Sequence, residues 1–165
     1  MVILKSFAGL LLLAGLVAFR FGYMFSPFNA RDAAPASEEV VEGASLGAER
    51  QAIEMLVRTY LISSMGLNFE ILPSLTSGAH RDNLEKKVIP SLRKLSAERG
   101  LRYDFNPNSI RTEIDLVGSR EAFARVDYVV TKHLDGEKTV SQERVLMFLT
   151  KPQSKWLVLS VEAAP

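Results

Sequence analysis

The hydrophobic pattern divides the chain into stretches of different period. Residues 7–19 (Phe-Ala-Gly-Leu-Leu-Leu-Leu-Ala-Gly-Leu-Val-Ala-Phe) carry no charge and have no polar face. That run is short of the ~20 residues needed to cross a bilayer. Arg20 is followed by Phe21, Tyr23, Phe25 and Phe28, and an arginine among aromatics can snorkel to the headgroups, extending the span. A cleaved signal peptide would need small residues just after the apolar run. The junction instead reads Ala18-Phe-Arg-Phe21, and Ala33-Ala-Pro-Ala36 lies far beyond it. The reading is therefore a retained signal-anchor over residues 1–28, with the following domain exported.

Residues 29–47 are rich in small and acidic residues and lack an apolar face, so they read as a flexible linker. From Ala48 a helical period begins. Ile53, Leu56, Val57, Tyr60 and Leu61 fall on one face, with Glu49, Arg50, Glu54 and Arg58 on the other. A second helical stretch is expected over residues 68–75. Asp82 followed by Glu85 has the capping-box spacing of a third helix, interrupted at Pro90 and ended at Gly100.

Beyond residues 106–109 the period changes to two. Ile110, Thr112, Ile114 and Leu116 alternate with charged residues, and Ala122, Ala124, Val126, Tyr128 and Val130 alternate with Arg125, Asp127 and Thr131. Asp135-Gly136 is a hairpin turn signal. A third strand is expected over residues 139–150 and a fourth over 156–161. Residues 48–165 thus form one α+β domain, helices first and an antiparallel meander after.

Charge removes one class of function. The chain of 165 residues has 20 basic and 19 acidic side chains, so no global field attracts nucleic acid. There is no cysteine, which excludes disulfides and thiolate metal sites.

The order of three helical segments, the strand from Ala122 to Val130, the Asp135-Gly136 hairpin, Glu143-Arg144 leading into Val145 to Leu149, and a closing Trp156-Leu-Val158 resembles the nuclear transport factor 2-like (NTF2-like, cystatin-like α+β) superfamily. The resemblance implies a curved sheet wrapped around helices, leaving a cone-shaped cavity. Such folds serve enzymes, small-molecule binders and scaffolds alike. With its anchor and linker the chain also resembles the VirB8-type components of bacterial type IV secretion, through Val57-Arg58-Thr-Tyr60 in the first helix. That likeness implies a single-pass inner-membrane protein whose domain lies in the periplasm.

Candidate chemistry is sparse. His133 lies near Asp135 on the strand carrying Asp127, and a carboxylate can orient an imidazole for acid/base work. Its parity is that of Arg125 and Asp127, the expected solvent face. His80 has no second histidine at ligand spacing, so it reads as a solvated loop residue. Tyr60, Phe69, Tyr103, Tyr128 and Trp156 are the candidate cavity lining, with ordinary core as the competing reading. Residues 80–102 form the only basic region, read by default as a solvated helix face. No phosphate loop, nucleophile elbow or metal-binding histidine pair is present. No catalytic residue, metal or cofactor is expected.

The third strand is apolar on both parities, with Val145, Met147 and Leu149 on one and Leu146 and Phe148 on the other. One-sided burial would leave polar residues on one of those faces. Val145, Met147 and Leu149 are therefore a candidate interface, for a second copy of the chain or another envelope protein, with coverage by the chain's own helices and curled sheet as the equal competing reading. The function expected is a membrane-anchored, non-catalytic interaction scaffold of a bacterial envelope or secretion assembly. The alternative is a small-molecule-binding protein or enzyme using the cavity.

Overall fold

The computed structural model describes residues 43–116 and 118–164. The expected anchor, residues 1–28, and the linker as far as residue 42 lie outside the described residues. Among the described residues no helix is long and apolar enough to cross a membrane.

Helix α1 spans Gly43–Met65. Ile53, Leu56, Val57, Tyr60 and Leu61, joined by Met65, form its buried stripe. It begins five residues earlier than the period predicts, inside the stretch read as linker, where Ala44 and Ala48 favour helix and no proline opposes it. The expected helix over residues 68–75 is only a 3-10 turn, Leu72–Leu75. Leu67 sits at φ 52 and ends α1. Pro73 lacks the N–H that a continuing helix needs.

Helix α2, Gly78–Asn83, passes through a π turn, Leu84–Val88, into α3, Ile89–Arg99. The capping box expected at Asp82 is absent. Ser77 stands at the N-cap instead. Asp82 accepts from Lys86 and Glu85 from Arg81, each at 3.2 Å along the helix surface. The regular helix restarts around Pro90, as expected, with the proline in the first turn of α3 directly after the widened turn. Gly100, at φ 63, ends α3 as expected. The N–H of Leu101 closes on the carbonyl of Leu95 at 3.3 Å.

Five strands follow: β1 Arg102–Phe105, β2 Arg111–Leu116, β3 Glu121–Leu134, β4 Glu137–Thr150 and β5 Leu157–Ala163. These five strands pair antiparallel. The sheet order is β1-β3-β4-β5, with β2 also on β3. β1 and β2 thus lie end to end along one edge of β3, facing residues 130–133 and 122–127 respectively. β1 was not expected, since Arg-Tyr-Asp-Phe is too short to establish a period. The long hairpin pairs β3 with β4 from Glu121↔Thr150 to Leu134↔Glu137. Its turn residues Asp135 and Gly136 adopt φ 55 and φ 80, the positive-φ geometry that twisted hairpins favour. A register shift at Phe148/Leu149 breaks the β4–β5 ladder, as bulges do where a strand bends.

The helices cover one face of this curved sheet. Ala122, Ala124, Val126, Tyr128 and Val130 of β3 enter that core beside Val145, Met147 and Leu149 of β4. This corrects the expected interface. Val145, Met147 and Leu149 are 2, 0 and 2% exposed within the single chain, because the helices fill the space that the apolar pattern had assigned to a partner. The opposite parity, Leu146 and Phe148, faces outward and is half-buried.

Candidate functional site: a polar cluster on the helix-covered face

Polar groups gather in one part of this otherwise apolar core. Tyr128 and Glu143 are direct cross-strand partners on β3 and β4, which places their Cβ atoms about 4.5–5.5 Å apart. Both are buried, at 1 and 4% exposure. Tyr60 reaches the same region from α1, and its hydroxyl lies 3.0 Å from Nε2 of His80 on α2. Tyr103, on β1, is half-buried and close enough, with Tyr60, to act electrostatically on Tyr128. Phe105 packs edge-on against Tyr128 with ring centroids 5.9 Å apart. One helix, one short helix and three strands therefore converge on a cluster of three phenols, an imidazole and a carboxylate.

Electrostatics follow from burial. Desolvation lowers His80 to about 4, so the ring is neutral at physiological pH and shares one hydrogen bond with the Tyr60 hydroxyl. Burial raises the pKa of Tyr60 and Tyr103. It also raises Tyr128, with the charge of Glu143 adding to the effect. Oε1 of Glu143 has no hydrogen-bond partner among the described residues, and no lysine or arginine among them forms a salt bridge with it. A buried carboxylate oxygen without a donor is costly in a folded protein. The cluster thus offers a bound molecule one strong acceptor, neutral phenols and a neutral imidazole.

The five expected lining residues divide. Tyr60, Tyr103 and Tyr128 are brought together, and Phe69 and Trp156 are not. Phe69 packs on the core beneath Arg93, whose guanidinium stands 5.5 Å from the ring centroid. Trp156, 4% exposed, donates from Nε1 to Glu49 at 2.5 Å, and Lys151 reaches the other oxygen of Glu49 at 2.5 Å. This fastens the first turns of α1 to the end of β4 and walls a separate groove of about 400 Å³ with Ala52, Met55 and Leu75.

His80 is the principal correction at the site, because it is a partly buried helical residue of the cluster and not a solvated loop residue. Glu143 was missed. In sequence it is one charge beside Arg144, and only the parity of Val145 and Met147 marks it as inward-facing. His133 belongs elsewhere: its Nε2 meets Asp104 at 2.7 Å across β1 and β3. Asp127 is taken by Arg144 at 2.7 Å, and Asp135 by Arg99. The basic region is largely neutralised, through Arg81–Glu85, Lys86–Asp82, Arg93–Glu70 and Arg99–Asp135. Among the described residues no group of histidines and carboxylates has metal-binding geometry.

Comparison with solved structures places this architecture. The chain is similar to an NTF2-like protein with a cystatin-like fold from Novosphingobium aromaticivorans, with TM-score 0.52 and 16% identity over 74% of this chain and 89% of that one. It is also similar to the β subunit of a putative aromatic-ring-hydroxylating dioxygenase from the same organism, with TM-score 0.54 and 17% identity over 72 and 89%. A putative scytalone dehydratase, again from that organism, matches with TM-score 0.52 and 17% identity over 71 and 83%. No family model matches the chain, and no curated protein does. The fold is therefore the NTF2-like, cystatin-like α+β fold. At these identities the likeness concerns the fold alone.

Proposed function

We propose that this chain is a small-molecule-binding protein of NTF2-like fold that receives its ligand at the Tyr60–His80–Tyr103–Tyr128–Glu143 cluster. The observation that carries the proposal is the inward carboxylate of Glu143, with Oε1 unpartnered at 4% exposure of the residue. Polar groups converging inside an apolar enclosure are the usual make-up of a ligand site. Half-buried Tyr103 and His80 mark the side open to solvent. The reading extends to acid/base chemistry on the bound molecule, since a neutral imidazole hydrogen-bonded to a phenol can pass a proton. The apolar run over residues 7–19 supports tethering of this domain to a membrane, on the exported side.

A scaffold reading retains one specific support. Phe123 and Phe148 lie 6.5 Å apart on the outward face of the sheet, with exposed Val129 and Val140 further along the same hairpin, and offer a surface to another protein or a second copy.

A fragment screen by ligand-observed NMR, followed by spectra of the protein with labelled tyrosines and histidines, tests the first reading. Bound fragments should shift the signals of Tyr60, Tyr128 and His80. Fragments that shift only Phe123 and Phe148 would move the function to the outer face.

A further inference from the structure

We infer that the ligand is an organic cation, an ammonium or amidinium on an apolar body, with Glu143 as its counter-charge and the rings of Tyr60, Tyr103 and Tyr128 around it. The inference rests on the pocket reading and specifies its ligand.

The argument begins with what Glu143 lacks. It occupies an inward position between Tyr128 across the strand and Val145 two residues on. Among the described residues no ion pair includes Glu143. Arg144 points to the opposite face and holds Asp127. Arg125 holds Glu113 and Asp115 on that same outer face. Arg58 of α1 gives its guanidinium to the carbonyl of Pro107 at 3.1 Å. A carboxylate enclosed without a counter-ion is relieved by a proton or by a cation from outside.

The surroundings favour the cation. Aromatic rings attract positive charge through their quadrupoles, tyrosine among them, and Tyr60, Tyr103 and Phe105 gather around Tyr128, the cross-strand neighbour of this carboxylate. His80 does not compete, because its burial keeps it uncharged. An anionic ligand would meet Glu143 with like charge in a desolvated place, and no arginine or lysine of the cluster would compensate. A neutral ligand would leave the carboxylate without its counter-charge. Val126, Val130 and Met147 continue the same inward faces and keep the surroundings of the carboxylate apolar.

The test uses the full chain and three probes of one shape, benzylammonium, benzyl alcohol and benzoate, with binding followed by calorimetry. Benzylammonium should bind roughly tenfold or more tighter than benzyl alcohol, and benzoate weakest. The isosteric Glu143→Gln variant should abolish the preference for the cation. Wild-type protein supplies the same answer without mutation through benzyltrimethylammonium, whose charge is fixed and which should likewise bind more tightly than benzyl alcohol at neutral pH. Equal binding of benzyl alcohol and benzylammonium, or a preference unchanged in Glu143→Gln, overturns the inference and leaves the pocket reading standing. Failure of all the probes to bind, with no shift at Tyr128, overturns both.

Discussion

The hydroxyl of Tyr60 and Nε2 of His80 meet at 3.0 Å, joining α1 to α2 inside the protein. Because burial holds His80 down at about 4, against 6.5 in an unfolded chain, the unfolded state binds more protons between those values. Stability from this group is therefore complete above pH 6.5 and is lost as pH falls toward 4. The loss amounts to about 3 kcal/mol at most. Urea unfolding of wild type and His80→Gln at several pH values checks it: the difference between the two should shrink on acidification, and a constant difference would show that His80 titrates freely.

Glu143 carries a second prediction. With its charge enclosed and no ligand present, the neutral isostere Glu143→Gln should raise unfolding stability by about 1–2 kcal/mol at neutral pH. A fall in stability would reveal that the carboxylate is already paired in the folded chain.

The two parities of β4 separate in their cost. Met147→Ala or Leu149→Ala should destabilise by about 2–5 kcal/mol, because each empties space in the core. Phe148→Ser, on the outward face, should cost no more than about 1.5 kcal/mol in the isolated chain. If Phe148→Ser also lowers the mass in solution, the outer face is an oligomer contact.

Glu49 gathers the indole N–H of Trp156 and the ammonium of Lys151, and these bonds hold its carboxyl below the usual range. Glu49→Ala leaves the buried indole without an acceptor and should cost about 1–3 kcal/mol in chemical unfolding. The contribution exists above the ordinary carboxylate pKa and disappears as pH falls through the lowered one. Wild type and variant should therefore converge in acid.

The anchor is tested on the mature protein. Its N-terminal sequence should retain residues 7–19, and the chain should leave the membrane fraction only with detergent. A mature chain beginning near Ser37 and released without detergent would show that the segment is a cleaved leader.

Much of the fold was legible in the sequence because its longest elements have clean periods. The buried stripe of α1 and the alternation of β3 each repeat often enough for local chemistry to outweigh accident. The Asp135-Gly136 turn and the Gly100 stop rest on positive φ, which few residues adopt cheaply. Short elements were not legible: β1 has four residues, and the turn Leu72–Leu75 also has four. The cluster was half visible. Tyrosines on apolar faces can be found by parity, and three of the five named did come together. Glu143 and His80 escaped because their burial depends on which elements cover them, a tertiary fact that no local pattern carries. The same gap misplaced Val145, Met147 and Leu149. Two apolar parities announce that both sides of a strand avoid water without revealing which side is closed by the chain's own helices.

The widened turn Leu84–Val88 has a consequence for how this region tolerates insertions and deletions. Pro90 cannot donate a backbone hydrogen bond, and its ring would strike the carbonyl four residues earlier in a regular helix. The extra residue of the π turn relaxes that conflict. It also rotates everything after it by about 100° relative to an uninterrupted helix, which sets Ile89 and Leu92 onto the buried side. Deleting exposed Lys86 or Lys87 would restore a regular spiral with the later residues in the same register, yet it would set the ring of Pro90 against the carbonyl four residues earlier. The proline and the additional residue thus form a linked pair of sequence characters, each tolerable only in the company of the other.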